Sequence, residues 1–261
     1  MRYDIADAAD PRVADFVSLR DSQLRKRLEA ERGIFIAEGT TIIQRAIAAG
    51  CQPRAFLLSP RWLAGLAEVL ANWPQLPCYV AAEEMVEAIS GFHVHRGALA
   101  AFDRPEQAPW ELIEQANRII VCEALVDHAN TGAIIRVAAG LGWDAVLVSA
   151  AGADPLYRRA IKSSMGASLQ LPWRRLAADD ELTRLRRAGF TLAATVLADD
   201  AVALAEFSAP AKLALLVGSE GHGLSAAWQQ LADVRLTIDM ANKVDSLNVA
   251  AATAIFAYAL R

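Results

Sequence analysis

The sequence predicts an α/β protein of two domains, the second built on a parallel sheet. Three observations predict it. Short apolar runs alternate with amphipathic segments along the chain. In the second half these runs are continuously apolar, as strands covered on both faces are. Between the halves, "DRPEQAP" at 103–109 breaks the pattern with two prolines and charges, as a linker does. The 261 residues are long for one core and comfortable for two. The expected division is 1–103, a linker at 104–116, and 117–261.

The elements follow in order. A charged helix is expected at about 14–30, then "IFIAEG" as a strand. "TTIIQRAIAAG" has helical periodicity and stops at Gly50, a plausible residue just past a helix end. "RAFLLS" reads as a strand, and "PRWLAGLAEVLANW" as a helix with Pro60 in its first turn. "PCYVAA", "EEMVEAIS" and "GALAAF" read as strand, helix and strand. After the linker, "RIIVCEA" is a strand, "NTGAIIRVAAGLG" a helix, "DAVLVS" a strand and "LYRRAIKSSMG" a helix. A helix around 179–188 precedes the strands "TLAATVL" and "KLALLVGSE". "SAAWQQLA" is a helix and "VRLTID" a strand, and a last helix starts near 246 with Asp245 or Ser246 as its N-cap.

Composition narrows the function classes. The chain is 54% hydrophobic and 21% charged, an ordinary globular balance. No window approaches the roughly 18 uninterrupted apolar residues of a membrane span. The N-terminus is acidic and lacks the apolar stretch of a signal peptide, so a cytoplasmic location is expected. Cys51, Cys78 and Cys122 are far apart and odd in number, which suits buried free thiols better than disulfides or zinc. Four histidines (His93, His95, His128, His222) show no ligand spacing, so no metal is expected. The net charge of −4 argues weakly against a nucleic-acid partner, yet it hides two basic stretches. Residues 20–27 hold four basic residues, among them Arg25, Lys26 and Arg27, against one acid. Residues 157–175 hold five basic residues, among them Arg158, Arg159 and Lys162, and no acid. These six are the candidate phosphate contacts; the bland reading is a pair of solvated helix faces.

Sites in open α/β sheets form at the C-terminal ends of strands, and three such connections are rich in polar residues. In "DHANTGAIIR", Asn130 is a natural N-cap. Gly132 and Arg136 are four apart and are expected to share a helix face. Arg136 lies among apolar residues, so it needs an anionic partner, a hydrogen-bonded niche or a snorkelling path. In "LLVGSEGHGLS", Gly218, Gly221 and Gly223 allow positive φ and close approach of a ligand to backbone. The loop lacks a Walker Gly-Lys-Ser/Thr and GxGxxG spacing, and Glu220 would repel a phosphate. It suits a neutral or cationic ligand. In "IDMANKVDSLN", Asn248 is a second polar residue at the start of a helix otherwise built for burial.

Together the three loops resemble the three ordered motifs of the SpoU (TrmH) family of RNA ribose 2′-O-methyltransferases, within the SPOUT class. The matching residues are Asn130-x-Gly132-x-x-x-Arg136, Gly218-Ser219-Glu220-Gly221-x-Gly223-Leu224 and Ser246-Leu247-Asn248. "SSMGAS" at 163–168 is similar to the family's Ser-x-Gly-Ala stretch. "LRKRLEAERGIFIAEGTTIIQRAI" and "HRGALAAF" resemble its appended substrate-binding domain, a small α/β fold like certain ribosomal proteins. The resemblance implies a parallel α/β sheet whose C-terminal segment is threaded into a deep trefoil knot. It implies S-adenosylmethionine as cofactor, held by Leu216, Gly218, Glu220, Gly221, Ile238, Met240, Ser246 and Leu247. It also implies a homodimer with the active site at the subunit interface. By family likeness Arg136 acts at the ribose 2′-hydroxyl, Asn130 orients Arg136 or the ribose, Ser246 and Asn248 position the nucleotide, and Glu220 fixes the loop around the cofactor's charge. The chain departs from the family at His128 and Asp239, where prolines are usual, and at Asn242, where a glycine is usual; these departures bear on loop conformation.

The expected activity is methylation of a ribose 2′-hydroxyl in structured RNA, with the appended domain favouring ribosomal over transfer RNA. The rival expectation is a non-catalytic RNA-binding or ribosome-assembly factor that kept the fold. A doubly wound nucleotide-binding enzyme is a poorer match, lacking a glycine fingerprint after the first strand.

Overall fold

The structure is a computed structural model that describes residues 1–21, 25, 28–29, 31–92, 97–178, 180–198, 200–241 and 246–261. It divides into two compact units, 1–105 with 156–162, and 106–155 with 163–261.

The first unit carries strands β1 (Arg2–Asp4), β2 (Ile34–Glu38), β3 (Pro53–Leu58), β4 (Cys78–Val80) and β5 (Ala98–Asp103). They form one mixed sheet in the order β1-β4-β3-β5-β2, parallel through β3 and antiparallel at both contacts of β5. Helices α1 (Thr40–Ala48), α2 (Ala67–Asn72) and α3 (Glu83–Ser90) join them. Three details differ from expectation. β1 was not foreseen; the edge of β4 recruits it, with Ile5 N–H completing the pairing on the Val80 carbonyl at 2.8 Å. The helix expected at 14–30 is only partly formed: its start is a 3-10 turn, Pro11–Phe16, followed by Ser18 at φ 51, which helical backbone cannot pass through, while the described residues 25, 28, 29, 31 and 32 are helical. The expected helix at 60–73 breaks into two 3-10 turns, Pro60–Trp62 and Ala64–Leu66, before α2 begins.

The second unit runs α4 (Trp110–Gln115), β6 (Arg118–Cys122), α5 (His128–Gly140), β7 (Ala145–Val148), α6 (Arg158–Ser163), β8 (Trp173–Arg175), α7 (Glu181–Arg187), β9 (Thr191–Thr195), β10 (Val202–Ala203), β11 (Leu213–Val217), α8 (Ala226–Leu231), β12 (Val234–Thr237) and α9 (Val249–Ala259), most of α6 grouping with the first unit. All seven strands are parallel, in the order β10-β12-β9-β11-β6-β7-β8. The continuous apolar runs are explained by burial on both faces. Ile119 and Val121 point to one face, where Trp110 and Ile113 of α4, Leu182 and Leu185 of α7 and Trp228 of α8 cover them. Ile120 and Cys122 point to the other, under Ile134 and Ile135 of α5 and Phe256 of α9. Each such side chain contributes about 1.5–3 kcal/mol relative to exposure. Residues 104–116, expected as a linker, therefore include a helix whose Trp110 and Ile113 belong to a core; the prolines misled because Pro109 is the N-cap residue of α4. Cys51, Cys78 and Cys122 are free and buried.

Candidate active site

The three polar loops lie after β6, β11 and β12, and the sheet brings them together. β6 and β11 are neighbours, which sets the start of α5 beside the glycine-rich loop. The start of α9 completes the group.

The side chains form one connected chain of hydrogen bonds. Asn248 is the N-cap of α9: its Oδ1 accepts from the N–H of Ala250 at 3.0 Å and of Ala251 at 3.4 Å. Its Nδ2 donates to Asn130 Oδ1 at 3.2 Å. Asn130 Nδ2 in turn donates to Glu220 Oε1. Only one orientation of both amides satisfies this series. A carboxylate accepts and cannot donate, so Asn130 must offer nitrogen to Glu220 and oxygen to Asn248. Asn248 must then offer nitrogen to Asn130 and oxygen to the helix.

Two capping expectations are corrected here. The last helix is capped by Asn248, not Ser246; Asp245 and Asn242 lie outside the described residues. Asn130 is not the cap of α5 either. Asp127 is, accepting from Ala129 N–H at 2.7 Å and Asn130 N–H at 2.9 Å. The aspartate satisfies the first free N–H groups, which leaves the Asn130 side chain for Glu220 and Asn248.

The glycine-rich loop is closed on itself. Ser219 and Gly223 exchange two backbone hydrogen bonds, of 3.1 and 2.9 Å, with Gly221 at φ 85 and Gly223 at φ 65. A Cβ on Gly218 would lie 2.0 Å from the Gly223 carbonyl carbon and 2.2 Å from the Leu224 nitrogen, so only glycine fits where the strand passes under the loop. Ser225 caps α8 through Trp228 N–H, and Ser225 N–H is held by the Glu123 carboxylate at 2.7 Å.

Beside this loop is a cavity of about 530 Å³, within the usual range for small-molecule sites. Seven of the eight expected cofactor residues line it: Gly218, Glu220, Gly221, Ile238, Met240, Ser246 and Leu247. Leu216 does not; it is fully buried in β11, and its carbonyl accepts from the Thr195 hydroxyl at 3.0 Å. Asn248 also lines the cavity, and Asn130 joins it through Glu220. The sequence reading missed one wall, Thr195 at the end of β9 with Val196, Leu197 and Ala198 after it, as well as Gln229, Ala252 and Phe256. Only the strand order, with β9 beside β11, could have pointed to it. Among the described lining residues Glu220 is the only carboxylate, and there is no lysine or arginine. A cavity of mixed apolar and polar lining with one carboxylate and no lysine or arginine fits a cation with an apolar or aromatic body better than a polyphosphate.

Arg136 stands apart from this cavity. It is exposed on α5 with no ion pair among the described residues, in a depression with Ala133, Val137, Gly140, Ser163, Ala254 and Tyr258. Ile134, Ile135 and Ala138 turn inward while Arg136 turns out beside Ala133 and Val137, which fits the snorkelling alternative rather than a buried niche. Gly132 and Arg136 lie four apart in the continuous helix α5 and share a face, as expected, with Gly132 buried and Arg136 exposed. Ser163, from the "SSMGAS" stretch, reaches the His128 carbonyl at 3.5 Å.

The basic residues divide sharply. Arg25 is fully buried, bonded to Glu29 at 3.0 Å and to the Val17 carbonyl at 3.4 Å. It cannot meet a phosphate without unburying, so that expectation is corrected. Arg158 is also internal to the first unit: it pairs with Glu38 at 2.9 Å, bonds the Leu19 carbonyl at 3.2 Å and lies 4.1 Å from the Phe92 ring centroid. Lys162 shares Glu38 at 2.6 Å with its stem half exposed. Arg159 is exposed without an acidic partner among the described residues. Lys26 and Arg27 lie outside the described residues. Among the described residues no three His, Cys, Asp or Glu side chains gather as a metal site requires, and no helix is long and apolar enough to cross a membrane.

Comparison with known proteins gives this geometry a family. Over 98% of its length the chain is 41% identical to an uncharacterised tRNA/rRNA methyltransferase of Mycobacterium tuberculosis, covering 90% of that protein. It is 26% identical, over 98% of both chains, to the 23S rRNA (guanosine(2553)-2′-O)-methyltransferase of Bacillus subtilis. The fold matches the AdoMet-bound rRNA methyltransferase of Sinorhizobium meliloti with a TM-score of 0.84 at 23% identity, covering 100% of this chain and 97% of that one. Residues 117–258, which hold all three loops, match the SpoU rRNA methylase family, and the chain belongs to that family.

Proposed function

We propose that this protein transfers a methyl group from S-adenosylmethionine to a ribose 2′-hydroxyl of structured RNA, with ribosomal RNA as the favoured substrate. The observation that carries the reading is the Asn248–Asn130–Glu220 series on the wall of a cavity suited to a cation. The cofactor supplies an activated methyl on a sulfonium. The apolar side chains of Leu197, Ile238, Met240 and Leu247 would hold its body, and Glu220 would offset its positive charge. The site raises the rate by alignment and by easing loss of the hydroxyl proton, which leaves to solvent water, since a ribose hydroxyl is a poor nucleophile at neutral pH. Asn130 and Asn248, each locked in one orientation, hold the edge where the ribose enters, and Ser246 stands beside them.

Arg136 acts at the 2′-hydroxyl with an RNA phosphate held on its guanidinium, because free arginine is too basic to serve alone as a base. Its place outside the cofactor cavity supports a homodimer in which it serves the partner's site. Ile255 and Tyr258 of α9, 43% and 60% exposed, supply an apolar face for such a contact. We read residues 1–103 as the RNA substrate-binding domain, with Arg159 and Lys162 as its phosphate contacts, and the C-terminal segment as threaded into a trefoil knot. The interior position of β12, between β10 and β9, supports that threading. The protein is expected to work in the cytoplasm.

Calorimetric titration with S-adenosylmethionine, then transfer of labelled methyl to total RNA by wild type and Arg136→Ala, tests the reading. Cofactor binding with no labelled RNA in any pool would favour the rival, an RNA-binding assembly factor. Label only in transfer RNA would move the substrate.

A further inference from the structure

We propose that His222 is a substrate-contacting residue whose imidazole donates to a phosphate oxygen of the RNA beside the acceptor ribose. This rests on the methyl-transfer reading above and adds a contact that the three family motifs leave open, since His222 fills their variable position.

The loop that carries His222 is closed on itself. The paired hydrogen bonds of Ser219 and Gly223 close it, and Gly218 packs directly under its return strand. Leu224, 3% exposed, and the fully buried Trp228 anchor the chain as it leaves. Only Glu220, Gly221 and His222 project. Glu220 is engaged by Asn130. His222 is exposed, lines the cavity, and has no hydrogen-bond or ion-pair partner among the described residues.

Charge identifies what it meets. RNA brings a phosphate to each side of the acceptor ribose, and the rim it approaches carries the Glu220 carboxylate, which repels it. Among the described lining residues His222 is the only side chain able to carry positive charge. The backbone N–H groups of Ser219 and Gly223 are spent on each other and cannot receive a phosphate. An imidazole has an N–H to donate in either protonation state, and its charged form adds Coulomb attraction.

The test uses the full chain, S-adenosylmethionine, and ribosomal RNA transcribed without modification. For His222→Ala, the KM for RNA should rise about fivefold, with kcat and cofactor affinity changing less. The plot of log Kd for RNA against log salt should become shallower than that of the wild type. His222→Lys should restore both and His222→Phe neither. An unchanged KM and salt slope in His222→Ala would overturn the proposal. So would rescue by phenylalanine, which would mean base stacking, or a loss confined to cofactor binding. If the wild type methylates no RNA, the proposed function fails before any variant is compared.

Discussion

Asn248 performs two tasks with one side chain, and they can be separated. Its oxygen caps α9 and its nitrogen holds Asn130. Asn248→Ala removes both. Loss of an N-cap costs about 1 kcal/mol, which for a chain of this size lowers Tm by about 3 °C. Asn248→Asp removes only the second, because aspartate caps as well as asparagine and suits the positive end of the helix. The new carboxylate cannot donate to Asn130 Oδ1. Asn130 must then turn its amide to face Asp at 248, and its oxygen meets the Glu220 carboxylate. That series cannot close, and Glu220 loses its anchor. A shift of about 1 Å in a positioning group costs about 100-fold in rate. The expected result for Asn248→Asp is a Tm within about 1 °C of wild type and a kcat/KM lowered about 100-fold. Thermal unfolding followed by circular dichroism, with methyl transfer under single-turnover conditions, reads both. Full activity in Asn248→Asp would refute the reasoning. Equal proportional losses of stability and activity across both variants would mean that capping alone accounts for Asn248.

Other consequences are equally direct. Arg136→Ala should abolish methyl transfer while changing stability by less than about 0.5 kcal/mol, as for other exposed sites, which denaturant titration beside the activity assay checks. Gly218→Ala forces a methyl into the Gly223 and Leu224 backbone; it should cost about 1–3 kcal/mol and abolish calorimetric binding of S-adenosylmethionine. Glu38→Gln leaves Arg158 without its carboxylate in a site where Glu38 is 3% and Arg158 11% exposed. About 3 kcal/mol should be lost, seen as a lower denaturation midpoint. Burial pushes the Cys122 thiol up to about 12 from 9.0. The folded state then holds its proton where the unfolded state has lost it, so stability is full below about pH 9 and falls by about 1.4 kcal/mol per pH unit toward pH 12. Cys122→Ala should flatten that slope.

Much of the second unit was legible in the sequence, because strands buried on both faces announce themselves as continuous apolar runs and its helices are periodic. The first 33 residues and the 60–73 stretch were read less well. There Ser18 and the short 3-10 turns follow from local packing, which periodicity does not report. Ser246, Glu220 and Asn248 were found because polar residues at strand ends are conspicuous. The Thr195–Ala198 wall was not, since a parallel sheet sets its neighbours by strand order rather than by sequence distance. The basic residues show the limit most clearly. Charge in a sequence does not reveal its partner: Arg25 and Arg158 look like phosphate contacts until Glu29 and Glu38 are found beside them.

The central claim concerns the atom that receives the methyl group. Unmodified ribosomal RNA is incubated with the protein and S-adenosylmethionine labelled in the methyl, then hydrolysed in alkali. Alkaline cleavage needs a free 2′-hydroxyl, so a methyl on that oxygen protects the adjoining bond. The account predicts label in an alkali-resistant dinucleotide. Label recovered wholly in mononucleotides would place the methyl on a base and contradict it.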